Sequence, residues 1–384
     1  MATTFRRRPD SPAAVPHSPP VPADGGGRVA ARVAAALLVG IPATVAGVAI
    51  GIPHALHGVS PSTVLGLTAL LAGLALLGYA ATVTWRGVHW PGRIVVVLVG
   101  LVIVQFLLFP MSQAVFATNR APMPLPARTP ADVGLPYDDV SLTTADGVRL
   151  AAWYVPSRNG AAVVLLHGSG STRVNVLDHA AAIASGGYGV LLLDARGHGG
   201  SGGHEMDFGW FGDADIAPAV EYLRASPDVL GERIALVGMS MGGEEAIGAA
   251  AAIPQVRAVV AEGVTGRTGA DWLPLRPAGI GHAFSTVFYW VQDTTAAVLS
   301  GTSPPLDLDT AVVKAAPRPV LIIAAGDVAT EGAAGRRLEH AAPGVVTLWE
   351  IAGAGHTAGL RTAPEEWKAR VGAFLDTALD VPPE

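Results

Sequence analysis

The chain has 384 residues, more than one ordinary domain needs, so one large fold plus an appendage is expected. Half of its residues are hydrophobic and 15% are charged; a soluble domain carries about 25% charge, so apolar sequence is concentrated somewhere. The net charge of −6, from 25 basic and 31 acidic residues, argues against nucleic acid as a partner, and a count of zero cysteines excludes disulfides, thiolate metal sites and a cysteine nucleophile.

Residues 1–28 are rich in Pro, Gly and Arg without periodic pattern and read as a disordered tail. Residues 29–116 hold three apolar runs, 33–52, 62–85 and 94–109, the last extendable through 111–116, and none contains a charged residue. A hydrocarbon layer of ~30 Å takes about 20 helical residues, so each run can span it. Trp85 and Trp90 stand at run ends, where an aromatic belt would place them. Arg6, Arg7, Arg8, Arg28 and Arg32 precede the first run, Arg86 and Arg93 separate the second and third, and 53–61 has no Lys or Arg. That bias puts the N-terminus in the cytoplasm and everything after the third span outside the cell membrane.

Residues 117–136 carry five prolines, among them Pro122, Pro124 and Pro126, and read as a stiff linker. From 137 to 384, short apolar runs alternate with Ala-rich helical patterns. Strands are expected at 140–144, 148–155, 161–166, 188–193, 233–237, 256–261, 320–325 and 345–351. Helices are expected at 174–185, 213–225, 241–253, 331–341 and 364–379. Strands apolar on both faces and separated by helices predict an α/β fold with a mostly parallel eight-stranded sheet covered on both sides.

The strand at 233–237 runs into Gly238-Met239-Ser240-Met241-Gly242-Gly243 and then a helix. A sharp strand-to-helix turn of this kind lifts a serine oxygen clear of the backbone, so Ser240 is the candidate nucleophile. His167-Gly168-Ser169-Gly170 closes an earlier strand. The N–H groups of Ser169 and Met241 are the candidate donors to a developing oxyanion.

His167-Gly168, the run Asp194-Ala195-Arg196-Gly197-His198-Gly199-Gly200-Ser201-Gly202, and 238–242, in this order and spacing, resemble the α/β-hydrolase superfamily. The Asp194 loop is similar to that of the serine aminopeptidase and monoacylglycerol-lipase-like branch. The resemblance covers roughly 137–380 and implies an α/β-hydrolase fold, a Ser–acid–His triad in that chain order and an architectural role for the Asp194 loop. It further implies that His356, in Gly353-Ala354-Gly355-His356-Thr357, is the general base. Related sequences carry the acid three residues after the glycine that ends the seventh strand; here that position is Ala329. Asp327 is the leading candidate from the geometry of the strand end, and Glu331 is the alternative.

The insertion 265–317, with Trp272, Phe284, Phe288, Tyr289 and Trp290, lies where the superfamily places a cap. His167, Gly168, Phe288 and Trp290 are the candidate substrate contacts. His198, His204 and Glu205 fit no zinc spacing, and neither a metal nor a cofactor is implied. The expectation is a membrane-anchored serine hydrolase acting on a small-molecule or lipid-like acyl substrate, with membrane lipid as its surroundings. An acyltransferase using the same triad, or a non-catalytic scaffold that kept the fold, are the alternatives.

Overall fold

A computed structural model describes residues 25–56, 58–120 and 125–382. The expected N-terminal tail therefore lies outside the described residues, apart from 25–28, which begin a helix. Among the described residues, three helices are long and apolar enough to cross a membrane: α1 (Gly27–Leu56), α2 (Pro61–Gly87) and α3 (Trp90–Thr118). Hydrocarbon offers the backbone no outside hydrogen-bond partner, which is why uncharged runs of this length take the helical form. The first two pack tightly through small residues. A methyl group on Gly51 would lie 2.5 Å from the Gly66 carbonyl carbon, and one on Gly73 would lie 2.5 Å from Thr44 Oγ1. Close approach of this kind is what holds apolar helices together when no hydrophobic gain separates protein from lipid.

Each of α1 and α3 contains one widened, π-helical turn, Gly47–Gly51 and Val104–Leu108. Each stands just before a proline, Pro53 and Pro110. A proline removes an amide from the hydrogen-bond ladder and its ring crowds the turn before it, and a widened turn absorbs both.

The second region is an eight-stranded sheet in the order β1-β2-β4-β3-β5-β6-β7-β8. The strands are β1 (Asp138–Thr143), β2 (Arg149–Val155), β3 (Ala162–Leu166), β4 (Gly189–Leu193), β5 (Ile234–Met239), β6 (Ala258–Glu262), β7 (Val320–Ala325) and β8 (Val346–Ile351). β1 pairs with β2, and β2 with β4, antiparallel; the remaining pairs are parallel. Side-chain alternation along each strand feeds two cores. Ala162, Val164 and Leu166 face one, with helices α5 (Gly212–Ala225), α6 (Met241–Ala252) and α8 (Leu308–Ala315). Val163 and Leu165 face the other, with α4 (Leu177–Ser185) and α10 (Pro364–Ala378). Each fully buried aliphatic side chain contributes roughly 1.5–3 kcal/mol, so both faces must be covered for the sheet to persist.

Two further helices place the chemistry: α7 (Ile280–Ser300), the main element of the insertion, and α9 (Ala329–Ala341), which follows β7. The near end of α3 is docked on the sheet domain. Ala114 of α3 shares a small core with Met206, Trp210 and Ala296 of α7. The Arg120 guanidinium binds the Asp207 carboxylate at 2.7 Å, and the Asp207 amide donates to the Ala117 carbonyl at 3.0 Å.

Candidate active site

β5 ends at Met239, and Ser240 turns the chain into α6 with φ 55° and ψ −121°. An L-residue at positive φ is strained, and such strain persists only where the surroundings enforce it. The enforcement is steric. A methyl group on Gly242 would lie 2.6 Å from the His167 carbonyl oxygen and 2.7 Å from Leu166 Cβ, and one on Gly238 would collide with the Gly242 carbonyl. Glycine on both sides thus lets β5, β3 and α6 close together and pushes the Ser240 side chain outward.

Ser240 Oγ lies 3.0 Å from His356 Nε2, and His356 Nδ1 lies 2.7 Å from Glu331 Oε1. Asp327, the leading candidate for the acid, is not in this chain of contacts. It is exposed, and its amide donates to the Ala354 carbonyl at 3.1 Å. The reason is helical geometry. α9 begins at Ala329, so Glu331 lies in its first turn, and side chains there tilt back toward the helix N-terminus. The longer Glu side chain thereby returns to the end of β7, where Oε2 accepts the Ala325 amide at 2.8 Å. Glu331 is 1% exposed and fixed at both oxygens. Its hydrogen bond raises the His356 pKa above the ordinary histidine value, against the smaller opposing effect of burial. With its Nδ1 proton held by Glu331, the imidazole presents Nε2 as acceptor to the Ser240 hydroxyl.

Glu262, at the end of β6, acts on the loop that carries His356. Its oxygens accept the Gly359 amide at 2.7 Å and Trp367 Nε1 at 2.9 Å. Burial raises its pKa, partly offset by those hydrogen bonds. The loop after His356 is therefore tied to the sheet.

Ser240 opens into a cavity of about 430 Å³ also lined by Ser169, Met241 and Phe288, three of the candidate site residues, and by residues that sequence reasoning did not find. Gly168 approaches Ser240 closely enough that a methyl group on it would lie 3.2 Å from Ser240 Cβ. Met241 is the first residue of α6, where free amides gather. His167, in contrast, is not a substrate contact. It is 1% exposed, its Nδ1 donates to the Gly168 carbonyl at 2.8 Å, and its Nε2 accepts the Ala195 amide at 3.1 Å. Burial pushes its pKa down to about 3, so it is a neutral brace for the Gly168–Ser169 turn. Trp290, the other aromatic candidate for a substrate contact, is 68% exposed and does not line the cavity.

The unforeseen lining residues include Phe109 and Gln113 of α3, and Glu244. Glu244 is one helical turn after Ser240, so it shares its face of α6. It accepts the amides of Thr265 and Gly266 at 2.9 and 2.7 Å, and burial pushes its pKa up to about 7. That spacing was available in the sequence. For Phe109 and Gln113, on a membrane-type helix, the sequence carries no such signal.

The Asp194 loop is architectural, in line with the resemblance. Asp194 is fully buried and accepts the amides of Arg173 at 2.7 Å and Gly200 at 2.8 Å. Arg196 binds both Asp215 and Asp146. His198 is held by Asp207 at 3.1 Å and by the Arg196 carbonyl at 2.9 Å.

Comparison with known proteins comes to the same architecture. A family model described as serine aminopeptidase, S33 (Hydrolase_4), matches residues 157–305. The chain is 32% identical over 197 residues to an uncharacterised protein of Mycobacterium tuberculosis, covering 49% of this chain and 68% of that one. It is 36% identical over 129 residues to a thiohydrolase of Aspergillus aculeatus, covering 32% of this chain and 40% of that one. An esterase of Pyrococcus furiosus superposes with a TM-score of 0.52 at 26% identity, covering 67% of this chain and 100% of the esterase.

Proposed function

Since the chain belongs to the α/β-hydrolase superfamily, in its serine aminopeptidase-like S33 family, we propose that it is a membrane-anchored serine hydrolase that cleaves an ester-type acyl bond through an acyl-enzyme on Ser240. The observation that carries this reading is the hydrogen-bonded series Ser240–His356–Glu331 at the strand-to-helix turn. Ser240 Oγ attacks the acyl carbonyl carbon while His356 Nε2 takes its proton. Glu331 holds the imidazole tautomer and balances the imidazolium. The carbonyl oxygen, now an anion, is met by the amides of Ser169 and Met241. His356 then returns the proton to the leaving alcohol, and water activated by the same imidazole releases the acid.

A carboxylate on His356 weakens the scaffold alternative, whose main support was the missing acid at position 329. The three long apolar helices support anchoring in the cell membrane, with the hydrolase domain on the extracytoplasmic side by the arginine distribution.

The test is covalent labelling by a fluorophosphonate probe. The wild-type chain labels and Ser240→Ala does not, with turnover falling by about 10⁵-fold or more. A normally labelled Ser240→Ala would overturn the assignment.

A further inference from the structure

We propose that the acyl chain of a bilayer lipid reaches Ser240 sideways, along a groove between the membrane-type helix α3 and the cap helix α7, so that α3 is a wall of the active site as well as an anchor. This rests on the serine-hydrolase reading above. Phe109 and Gln113 of α3 line the same cavity as Ser240. A second cavity of about 270 Å³ adjoins it, sharing Phe109 and Phe288 and continuing to Gln105 and Phe106. Its walls combine aromatic rings from the two helices with the polar side chains of Gln105, Ser285 and Arg276, the last donating to the Tyr289 hydroxyl at 2.9 Å; Phe106 packs on Phe284 at 5.2 Å between centroids, and Phe109 on Phe288 at 5.6 Å. Phe106 lies within the widened turn before Pro110, and Phe109 directly follows it.

Depth identifies the occupant. α3 has 29 residues, about 44 Å at the helical rise of ~1.5 Å per residue, against a hydrocarbon layer of ~30 Å. Counted from Arg93, a charge that belongs at the membrane surface, about 20 residues reach residue 113. Gln105 and Phe106 then lie at the level of acyl chains, and Gln113 near the head groups. On α7, Ile280, Phe284 and Val287 are 77%, 50% and 47% exposed. At this depth they face lipid rather than water, which removes the cost of exposing them. The groove is therefore open to the bilayer and runs from it to the nucleophile. The clamp of Arg120 on Asp207, itself a lining residue of the Ser240 cavity, holds α3 against the domain. The reaction is hydrolysis of a lipid ester: the carbonyl–alkoxy bond breaks, water supplies the hydroxyl to the acid and a proton to the alcohol, and the fatty acid leaves toward the bilayer.

The absence of cysteine makes the test clean. Ser285→Cys and, on the opposite wall, Gln105→Cys each place one thiol in the groove. Full-length protein is reconstituted in phosphatidylcholine vesicles and assayed with a vesicle-borne palmitoyl ester and a water-soluble butyryl ester of the same fluorogenic alcohol. Plugging the groove with benzyl methanethiosulfonate should lower the palmitoyl-to-butyryl turnover ratio at least tenfold in both variants, and dithiothreitol should restore it. A ratio unchanged in both variants, with butyryl turnover and fluorophosphonate labelling intact, overturns the lateral route alone. Unmodified protein that neither labels nor turns over the butyryl ester overturns the hydrolase reading, and this inference with it.

Discussion

The two walls of the Ser240 cavity are built by different physics. On the sheet side, Ser240, His356 and Glu331 stand on strand ends and a helix start whose backbone is fixed by steric contact and by amide-to-carboxylate bonds. On the other side, Phe109 and Phe288 come from two helices far apart in the sequence and meet through packed side chains, the two rings at 5.6 Å and Ala114 against Ala296 among them. The first kind of wall tolerates almost no change in volume; the second tolerates substitution and pays in fit to the substrate. Rigidity therefore belongs with the chemistry, and adaptability with the side that chooses what is bound.

Gly242→Ala attacks the rigid wall and should have the largest effect on the folded state. Its methyl group has no space between the His167 carbonyl and Leu166, so unfolding stability should drop by at least about 2 kcal/mol and activity should be lost, as read by thermal unfolding and ester turnover. A wild-type melting temperature would mean that the turn is looser than described.

The pH profile probes the same wall without mutation. The proposed mechanism requires a neutral His356 as base, and its pKa is raised by Glu331. Activity is thus full at high pH and is lost as pH falls through a midpoint above the ordinary histidine value of ~6.5, by up to about tenfold per unit below it. In Glu331→Gln the residual activity should have its midpoint shifted to lower pH. A shift to higher pH would contradict the pairing.

The adaptable wall should respond more mildly. Phe109→Ala should lower kcat/KM for a long-chain ester by about tenfold, on the scale of a truncated apolar contact, and affect a butyryl ester less. Equal losses on both substrates would place Phe109 in a structural role. The smallest effect belongs to Trp290→Ala, which should leave butyryl turnover within twofold, since this side chain points away from the cavity.

What could be read from the sequence follows the same division. The turn at Ser240 is local: its glycines, the strand before it and the helix after it are contiguous, so 238–243 announces itself. His356 was legible for a similar reason, as a histidine in a Gly-rich loop directly after the last strand. Glu331 was harder, because a spacing counted along the chain pointed to Ala329 and its neighbours, whereas the direction of side chains in a helix's first turn decides which carboxylate returns to the strand end. His167 reads like a site residue by its place in a Gly-rich turn, and only the Ala195 amide donating to its ring reveals it as a brace. For Trp290 the local spacing is informative: two residues from Phe288 on one helix, it faces away from whatever Phe288 faces. The strand order, and the meeting of α3 with α7, depend on long-range packing that no local pattern encodes.

The relay through Glu331 is the claim on which the catalytic account stands, and paired kinetics test it most directly. kcat/KM is measured for Glu331→Gln and Asp327→Asn on the butyryl ester, with circular dichroism verifying that both are folded. The account predicts a loss of about 10³–10⁴-fold in Glu331→Gln and a value within twofold of wild type in Asp327→Asn. Near-wild-type turnover in Glu331→Gln together with a large loss in Asp327→Asn would contradict it.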